Sequence, residues 1–311
     1  MDGVLVVDKP AGITSYEVVA RVKRVIKVKK VGHGGTLDPF ATGVLPILIG
    51  QATKLSQFLI RDSKRYQAAM RLGVETDTQD LTGEVTFRGE TRGIEEASIR
   101  EAFAAFTGKI SQLPPMYSAV KHQGVPLYRL ARRGKQVERK KKVVEIYQLE
   151  ISRIELPEVY FEVSCSRGTY IRTLAADIGK RLGCGGHLTQ LRRVKSGEFG
   201  IGQAITLEEL ETAVEQGSVE KRITPLERVL PGFPRIQVER TLAAKIRQGR
   251  PTTARDFQGD LHSSWGDGDL VRIMALKGEQ SEHTELVAIA EIRANSDARE
   301  ATALRVLRVF N

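Results

Sequence analysis

Hydrophobic positions along the chain change period several times, and each change marks an element. The unbroken apolar run Val4–Val7 reads as a strand, and Asp8-Lys9-Pro10-Ala11-Gly12 reads as the turn after it. Thr14 and Glu17 have the spacing of a capping box, and Val18, Val19, Val22 and Ile26 then recur at helical spacing. Residues 31–39 show no period and read as a loop, followed by the apolar stretch Gly43–Gly50. Tyr66–Leu72 alternates as a strand would, and Thr76–Glu84 is a turn-rich hairpin region. Ile99, Ala102, Phe103 and Phe106 share one face of a helix predicted over Ile94–Phe106.

Leu113-Pro114-Pro115 interrupts this rhythm, and residues 111–142 read as an arm inserted between two pieces of a core. Val143–Ile154 and Val159–Cys165 are strand-like. A turn at Ser166-Arg167-Gly168 leads into Thr169–Arg172, read as extended, and Thr173–Leu182 is an amphipathic helix. Thr206 and Glu209 form a second capping box before a helix over Leu207–Val214. The proline-rich residues 225–234 mark a domain boundary. Beyond it, about 232–311, three short strands (Leu270–Ala275, Leu286–Ile292, Ala303–Val309) predict a small, mostly β domain. The pattern as a whole is mixed α/β with a C-terminal β unit.

Composition narrows the function. The 311 residues are long enough for about two domains, at roughly 100–200 residues each. Two cysteines do not make a disulfide scaffold and point to a reducing compartment. The longest apolar run is far short of the ~20 residues of a membrane helix. Met1-Asp2-Gly3 opens straight into the first strand, with no signal-peptide pattern. A cytoplasmic protein is therefore expected. The net charge is +10, which suggests a polyanion, and nucleic acid before others. The charge is local. Residues 21–30 hold six basic residues and no acid, and residues 121–142 hold nine basic residues and only Glu138. Together these runs carry +14 of the +10 total, leaving −4 for the rest.

Most catalytic patterns are missing. The five histidines (His33, His122, His187, His262, His283) are scattered, and Cys184-Gly-Gly-His187 alone does not supply a four-ligand metal site. Gly32-His33-Gly34-Gly35 lacks the spacing of a phosphate loop or a dinucleotide site. No metal and no cofactor are expected. Two candidates remain. Asp38 lies in a glycine-rich loop between apolar segments; it is either an ordinary Asp-Pro turn or a partly buried carboxylate that needs a cation or hydrogen-bond donors. Tyr170 and Arg172, if extended, share one face, where an aromatic plane and a guanidinium suit a base and a carboxylate; a strand end with a surface arginine reads equally well.

At these residues the sequence resembles a known family. Gly32-His33-Gly34-Gly35-Thr36-Leu37-Asp38-Pro39-Phe40-Ala41-Thr42-Gly43-Val44-Leu45 strongly resembles the catalytic motif of the TruB family, the bacterial tRNA pseudouridine-55 synthases. Val7-Asp8-Lys9-Pro10, Lys64-Arg65-Tyr66, Gly168-Thr169-Tyr170-Ile171-Arg172 and Leu191-Arg192-Arg193 resemble its other site segments. Pro114–Ala119 and Leu127–Arg132 resemble its RNA-gripping insertion, and the C-terminal segment is similar, less specifically, to a PUA domain. The resemblance implies a pseudouridine-synthase catalytic domain over residues 1–230 and a PUA-like β-barrel over residues 232–311. It implies cofactor-free conversion of uridine to pseudouridine in the tRNA T-loop, by a monomer without an obligatory protein partner. Asp38 would be the catalytic aspartate, Arg172 its ion-pair partner, and Tyr66 the residue stacking on the base. Tyr170 and Leu191 would line the uracil pocket, and His33 would touch nucleotides around the flipped base. Lys9 belongs to the implied substrate site, and Arg132, Arg133, Lys140, Lys141 and Lys142 to the RNA grip.

The residue types suit that reaction. A carboxylate either attacks C1′ or removes the C2′ proton, and an opposing arginine should lower its pKa and keep it ionised. Base flipping costs a few kcal/mol, which remote phosphate contacts offset. Two rivals stand beside this reading. A guide-RNA-dependent, dyskerin-type synthase would lack a comparable arm. A non-enzymatic tRNA chaperone would have lost the carboxylate or the arginine.

Overall fold

The computed structural model describes residues 1–60, 62–252, 254–257, 265–277, 283–293 and 303–311. His262 of the five histidines lies outside them. In chain order the elements are β1 (Gly3–Lys9), α1 (Ser15–Val25), β2 (Val31–His33), β3 (Thr42–Ile49), α2 (Ser56–Leu59) and β4 (Lys64–Leu72). The hairpin β5 (Val74–Thr76) and β6 (Val85–Arg88) precedes α3 (Glu96–Ala104) and β7 (Gly108–Gln112). Next come β8 (Lys121–His122), β9 (Val125–Pro126), α4 (Leu127–Ala131), β10 (Lys142–Glu155) and β11 (Glu158–Cys165). α5 (Ile171–Arg181), β12 (Gly186–Ser196), β13 (Phe199–Gly200), α6 (Leu207–Glu215) and β14 (Ile223–Pro225) follow. The C-terminal part holds β15 (Arg235–Val238), α7 (Arg240–Arg247), β16 (Leu270–Leu276), β17 (Thr284–Arg293) and β18 (Ala303–Val309).

A mixed sheet runs in the order β14-β1-β3-β12-β4-β11-β10-β7, with β2 added to β3 and β13 to β12. Its pairings are antiparallel except where β12 meets β3. The unbroken apolar runs of β1 and β3 follow from burial on both faces. Leu5, Val7, Leu45 and Ile47 point toward α1 and α6, while Val4, Val6, Val44 and Leu48 point toward the C-terminal part. β4 alternates because only one of its faces is covered: Tyr66, Ala68 and Met70 pack beneath α3 and α5, while Arg65, Gln67 and Arg71 face outward.

A second sheet, β15-β16-β17-β18, has its own core of Ile236, Ile246, Ile273 and Ile292. It is not loosely tethered. Met274, Leu286, Ile289 and Phe310 share a buried cluster with Val4, Leu55 and Phe58. Each such side chain contributes about 1.5–3 kcal/mol of burial. β15 and α7 were invisible to the periodicity, being short and set among charged residues.

The basic arm leaves and re-enters the sheet at one place. β7 and β10 pair with Gln112 opposite Lys142, so residues 113–141 project from adjacent strand ends. One expectation needs correction, and one element was not anticipated. The extended stretch expected to run to Arg172 ends at Tyr170: α5 begins at Ile171, and the Leu174 amide already bonds the Tyr170 carbonyl at 3.0 Å. Tyr170 is thus the cap and Arg172 sits in the first turn, so helix geometry and not strand alternation aims them. β12 was not read from sequence at all, although it lies at the centre of the sheet.

The parallel contact of β3 with β12 fixes the site, and Gly43 permits it. Gly43 has φ of +101°, and a Cβ there would stand 2.2 Å from the Arg193 carbonyl oxygen. Gly43→Ala should cost about 2–4 kcal/mol, read as a lowered denaturant midpoint at unchanged slope. A midpoint equal to wild type would show that the two strands tolerate separation.

Candidate active site

The loop carrying Asp38 runs between β2 and β3, and its backbone is held from three sides by buried side chains. Ser15, the first residue of α1, accepts from the Leu37 amide at 2.8 Å and donates to the Leu37 carbonyl at 3.1 Å. The capping box of Thr14 and Glu17 fixes that helix end. Lys9, fully buried, donates to the carbonyls of Pro10 (2.7 Å), Pro39 (3.1 Å) and Ala41 (2.7 Å). Arg193, also buried, donates to Val44 (2.7 Å) and Gly35 (3.0 Å), with Thr36 at 3.5 Å.

Held this way, the loop presents Asp38 to Arg172. Arg172 Nε lies 2.9 Å from one carboxylate oxygen and Nη2 lies 3.2 Å from the other. This is a fork-to-fork pair, among the stronger ion-pair geometries. The rest of the guanidinium is also occupied. It donates to the carbonyls of Thr78 and Tyr117, each at 2.8 Å, and pairs with Asp80 at 3.4 Å. Asp80 is itself anchored by the Thr82 amide and the hydroxyls of Thr78 and Thr82. Asp80 was not singled out from sequence. It sits in a Thr-Gln-Asp-Leu-Thr turn that has no catalytic spacing, and only the fold brings it to Arg172.

Asp38 and Arg172 lie on a cavity of about 270 Å³ whose walls include Tyr66, Tyr170, Leu191, Lys64 and Arg193. Five predicted residues are therefore brought together: Asp38, Tyr66, Arg172, Tyr170 and Leu191. Lys9 and His33 are not on this cavity. Lys9 is behind the loop, and His33 Nδ1 accepts from the Gly35 amide at 3.3 Å. Burial and the charge of Arg193 lower the His33 pKa and favour the neutral ring. Lys64 and Arg193 are wall residues that carry no role in the sequence reading, although both lie in segments resembling the family's site.

Burial decides the electrostatics more than pairing does. It pushes the Asp38 carboxyl above its ordinary value, Asp80 adds to the push, and Arg172 opposes it. The expectation of a net lowering by Arg172 is thus corrected, because desolvation is the larger effect. The Tyr66 phenol is raised by burial, with Arg193 pulling the other way. Burial lowers Lys9 and Lys64 to about 8 each.

Cys184 and His187 do not converge on an ion. His187 Nδ1 lies 2.9 Å from the Val74 carbonyl, and the Cys184 thiol faces Gly179 and Gly185. Among the described residues no group of His, Cys, Asp and Glu is placed to hold a metal. No helix among them is long and apolar enough to cross a membrane.

The basic runs form two outer surfaces. Lys140 and Lys142 border a cavity of about 330 Å³ at the arm's root, with His122 and Arg139. Arg132 stacks over Tyr128 at 5.7 Å, while Arg133 and Lys141 are exposed. Tyr16, Lys23, Arg24, Lys27 and Lys29 line an open groove along α1.

Lys9 allows a test of the clamp without any assay of activity. Its folded pKa of about 8 lies below the ordinary 10.5. Between those values the unfolded chain binds more protons, so this lysine makes stability rise with pH across that window. Lys9→Met should lower stability by about 1–3 kcal/mol through unmatched carbonyls. The wild-type advantage in urea unfolding should widen from pH 8 to 10.5; a constant gap would mean that folding does not lower the Lys9 pKa.

Comparison with known proteins supplies what geometry alone leaves open. Residues 23–171 match the TruB family pseudouridylate synthase N-terminal domain, and residues 172–231 match the tRNA pseudouridylate synthase B C-terminal domain. The chain is 44% identical over 311 residues to tRNA pseudouridine synthase B of Geobacter sulfurreducens, covering 100% of both chains. It is 47% identical over 252 residues to the protein of that name from Burkholderia pseudomallei, covering 80% of this chain and 82% of the other. Among solved structures, a chain of a Cbf5-Nop10-Gar1 complex superposes with TM-score 0.76 at 33% identity, covering 99% of this chain and 84% of that one. A paired carboxylate and guanidinium on a small cavity would serve many reactions, but likeness from end to end does not, and this chain belongs to the TruB family of pseudouridylate synthases.

Proposed function

We propose that the chain converts uridine to pseudouridine in the T-loop of tRNA, at position 55, with Asp38 as the catalytic carboxylate. The observation that carries the reading is the Asp38–Arg172 fork on the cavity wall. Arg172 orients the carboxylate and offsets its desolvation, so that an ionised oxygen faces the sugar of a flipped uridine. Tyr66 offers a ring for the base to stack on and a hydroxyl for proton movement. Tyr170 and Leu191 supply walls that hold a detached uracil without fixing one face, which a base that must turn over requires. The target uridine has to leave its stack, and contacts far from the reacting bond can offset that cost. The arm with Arg132, Arg133, Lys140, Lys141 and Lys142 is suited to this work, and the C-terminal β unit, residues 232–311, to a PUA-like contact with RNA.

The relatives named tRNA pseudouridine synthase B, matched along the whole chain, favour action on tRNA by the protein alone. The Cbf5 chain comes from a complex with Nop10 and Gar1, and its identity to this chain is lower. A purely binding role is disfavoured because the carboxylate, its arginine and the tyrosine share one cavity.

Asp38→Ala should abolish pseudouridine formation on unmodified tRNA while leaving the Kd for tRNA within about threefold, since none of the exposed basic residues of the arm or of α1 lines its cavity. Pseudouridine mapping after incubation with purified protein checks this, and residual turnover near the wild-type rate would remove Asp38 from the chemistry. The triple variant Lys140→Gln, Lys141→Gln and Lys142→Gln should weaken tRNA binding and reduce the slope of log K against log salt by roughly 2–3. An unchanged slope would exclude the arm from phosphate contact.

A further inference from the structure

The site contains two kinds of buried cation. Arg172 is fully matched by Asp38 and Asp80. Arg193 is 1% exposed and donates to the carbonyls of Gly35, Thr36 and Val44, the Thr36 contact being long; it also acts on the Tyr66 phenol, and no carboxylate pairs with it among the described residues. The carbonyl contacts occupy three of the five N–H groups of a guanidinium. Lys64, 8% exposed, likewise donates to carbonyls, those of Ile60 (2.9 Å), Asp62 (2.6 Å) and Leu59 (3.5 Å). The Asp62 carboxylate acts on it only through space. Both residues line the cavity that holds Asp38, and Arg193 stands opposite Tyr66 in the pairing of β12 with β4.

A buried cation without a counter-charge is costly and calls for a reason. Clamping the loop is one, but a neutral donor would bond carbonyls without that cost. The chemistry offers a better one. When the N1–C1′ bond breaks, its electron pair stays with the base, and uracil is released as an anion with charge spread over N1, O2 and O4. In the same step Asp38 loses its charge, either by bonding to C1′ or by taking the C2′ proton. Negative charge therefore moves off the carboxylate and onto the base. The C5–C1′ bond then forms as the Asp38–C1′ bond breaks, or as Asp38 returns the proton to C2′; C5 loses its proton and N1 gains one, so the carboxylate is regenerated and no oxidant or reductant is involved. Throughout, Arg172 keeps Asp80, whereas Arg193 has no anion until the base carries one.

We infer that Arg193, seconded by Lys64, stabilises the negative charge that develops on the uracil as it detaches from the sugar, a role that rests on the pseudouridine-synthase reading above. A fixed charge aimed at a site that is neutral in the ground state and anionic in the transition state raises the rate of the chemical step without tightening substrate binding.

Arg193→Met and Arg193→Lys, each measured for single-turnover pseudouridine formation, tRNA Kd and thermal midpoint, test this. The Met variant should lose about 10²–10³ in single-turnover rate with Kd within threefold, as removal of a charge-stabilising donor does. The Lys variant, which keeps the charge but loses the fork, should recover at least about tenfold of that loss. A Met variant within threefold of wild type overturns the inference, as does a Lys variant no better than Met, since shape alone would then matter. If Arg193→Met does not fold, Lys64→Met against Lys64→Arg decides. A loss of about tenfold restored by Arg supports the inference, and a rate within threefold of wild type overturns it. A wild-type protein that makes no pseudouridine overturns the parent reading, whereas active wild type with active Met variants overturns this inference alone.

Discussion

Arg172 joins three separate stretches of chain through one planar group. Its five donors reach the catalytic loop at Asp38, the turn at Thr78 and Asp80, and the root of the arm at the Tyr117 carbonyl. None of these segments is rigid by its own sequence. The loop has no periodicity, the turn holds no apolar anchor of consequence, and the arm opens with two prolines. What makes them one site is that a guanidinium buried to 4% exposure must have all its donors matched. The arrangement is therefore mutual: removing one partner leaves an uncompensated charge for the others. The same contact places the arm's first residues against the group that orients the catalytic carboxylate.

The loop's stability comes from the opposite logic. Lys9, Ser15 and Arg193 bond its carbonyls and amide and leave its one carboxylate to face the cavity. Leu37 and Ala41 are buried in the core on either side of Asp38, and the clamp on the backbone turns the carboxylate toward the cavity instead. Fastening the backbone from behind lets the front remain open to a substrate. This needs the close approach of β3 to β12 at Gly43, because Arg193 reaches the loop from β12.

Legibility from sequence followed physical cause. Elements with local determinants were readable: both capping boxes bond as their spacing implies, and β1, β3 and β4 carry the apolar patterns of two-sided and one-sided burial. The cavity residues Asp38, Tyr66, Tyr170, Arg172 and Leu191 were readable through motif resemblance, not through periodicity. β12 was not, because register shifts near Leu188 and again after Arg193 break its period of two, and because polar Arg193 occupies an inward position. Asp80 and the inner role of Arg193 were equally hidden, since each acquires meaning only from a partner more than ninety residues away. The direction of the Asp38 shift was misjudged for a similar reason: sequence names the opposing arginine but does not measure how much water the fold removes.

The cations of the chain divide by depth, and depth determines what they can do. Those of α1 and the arm stand in solvent, where salt screens them over about 8–10 Å and where their contacts with a polyanion exchange readily. They suit the capture of a large charged molecule that must also be released. Arg172, Arg193 and Lys64 are shielded from that screening, so their fields act at nearly full strength over a few ångströms. A buried arginine contributes little to holding a tRNA whose phosphates never reach it, and an exposed lysine contributes little to a charge moving between a carboxylate and a base. The net charge of the chain thus sums two populations with different tasks, and the smaller, buried one is where the chemistry resides.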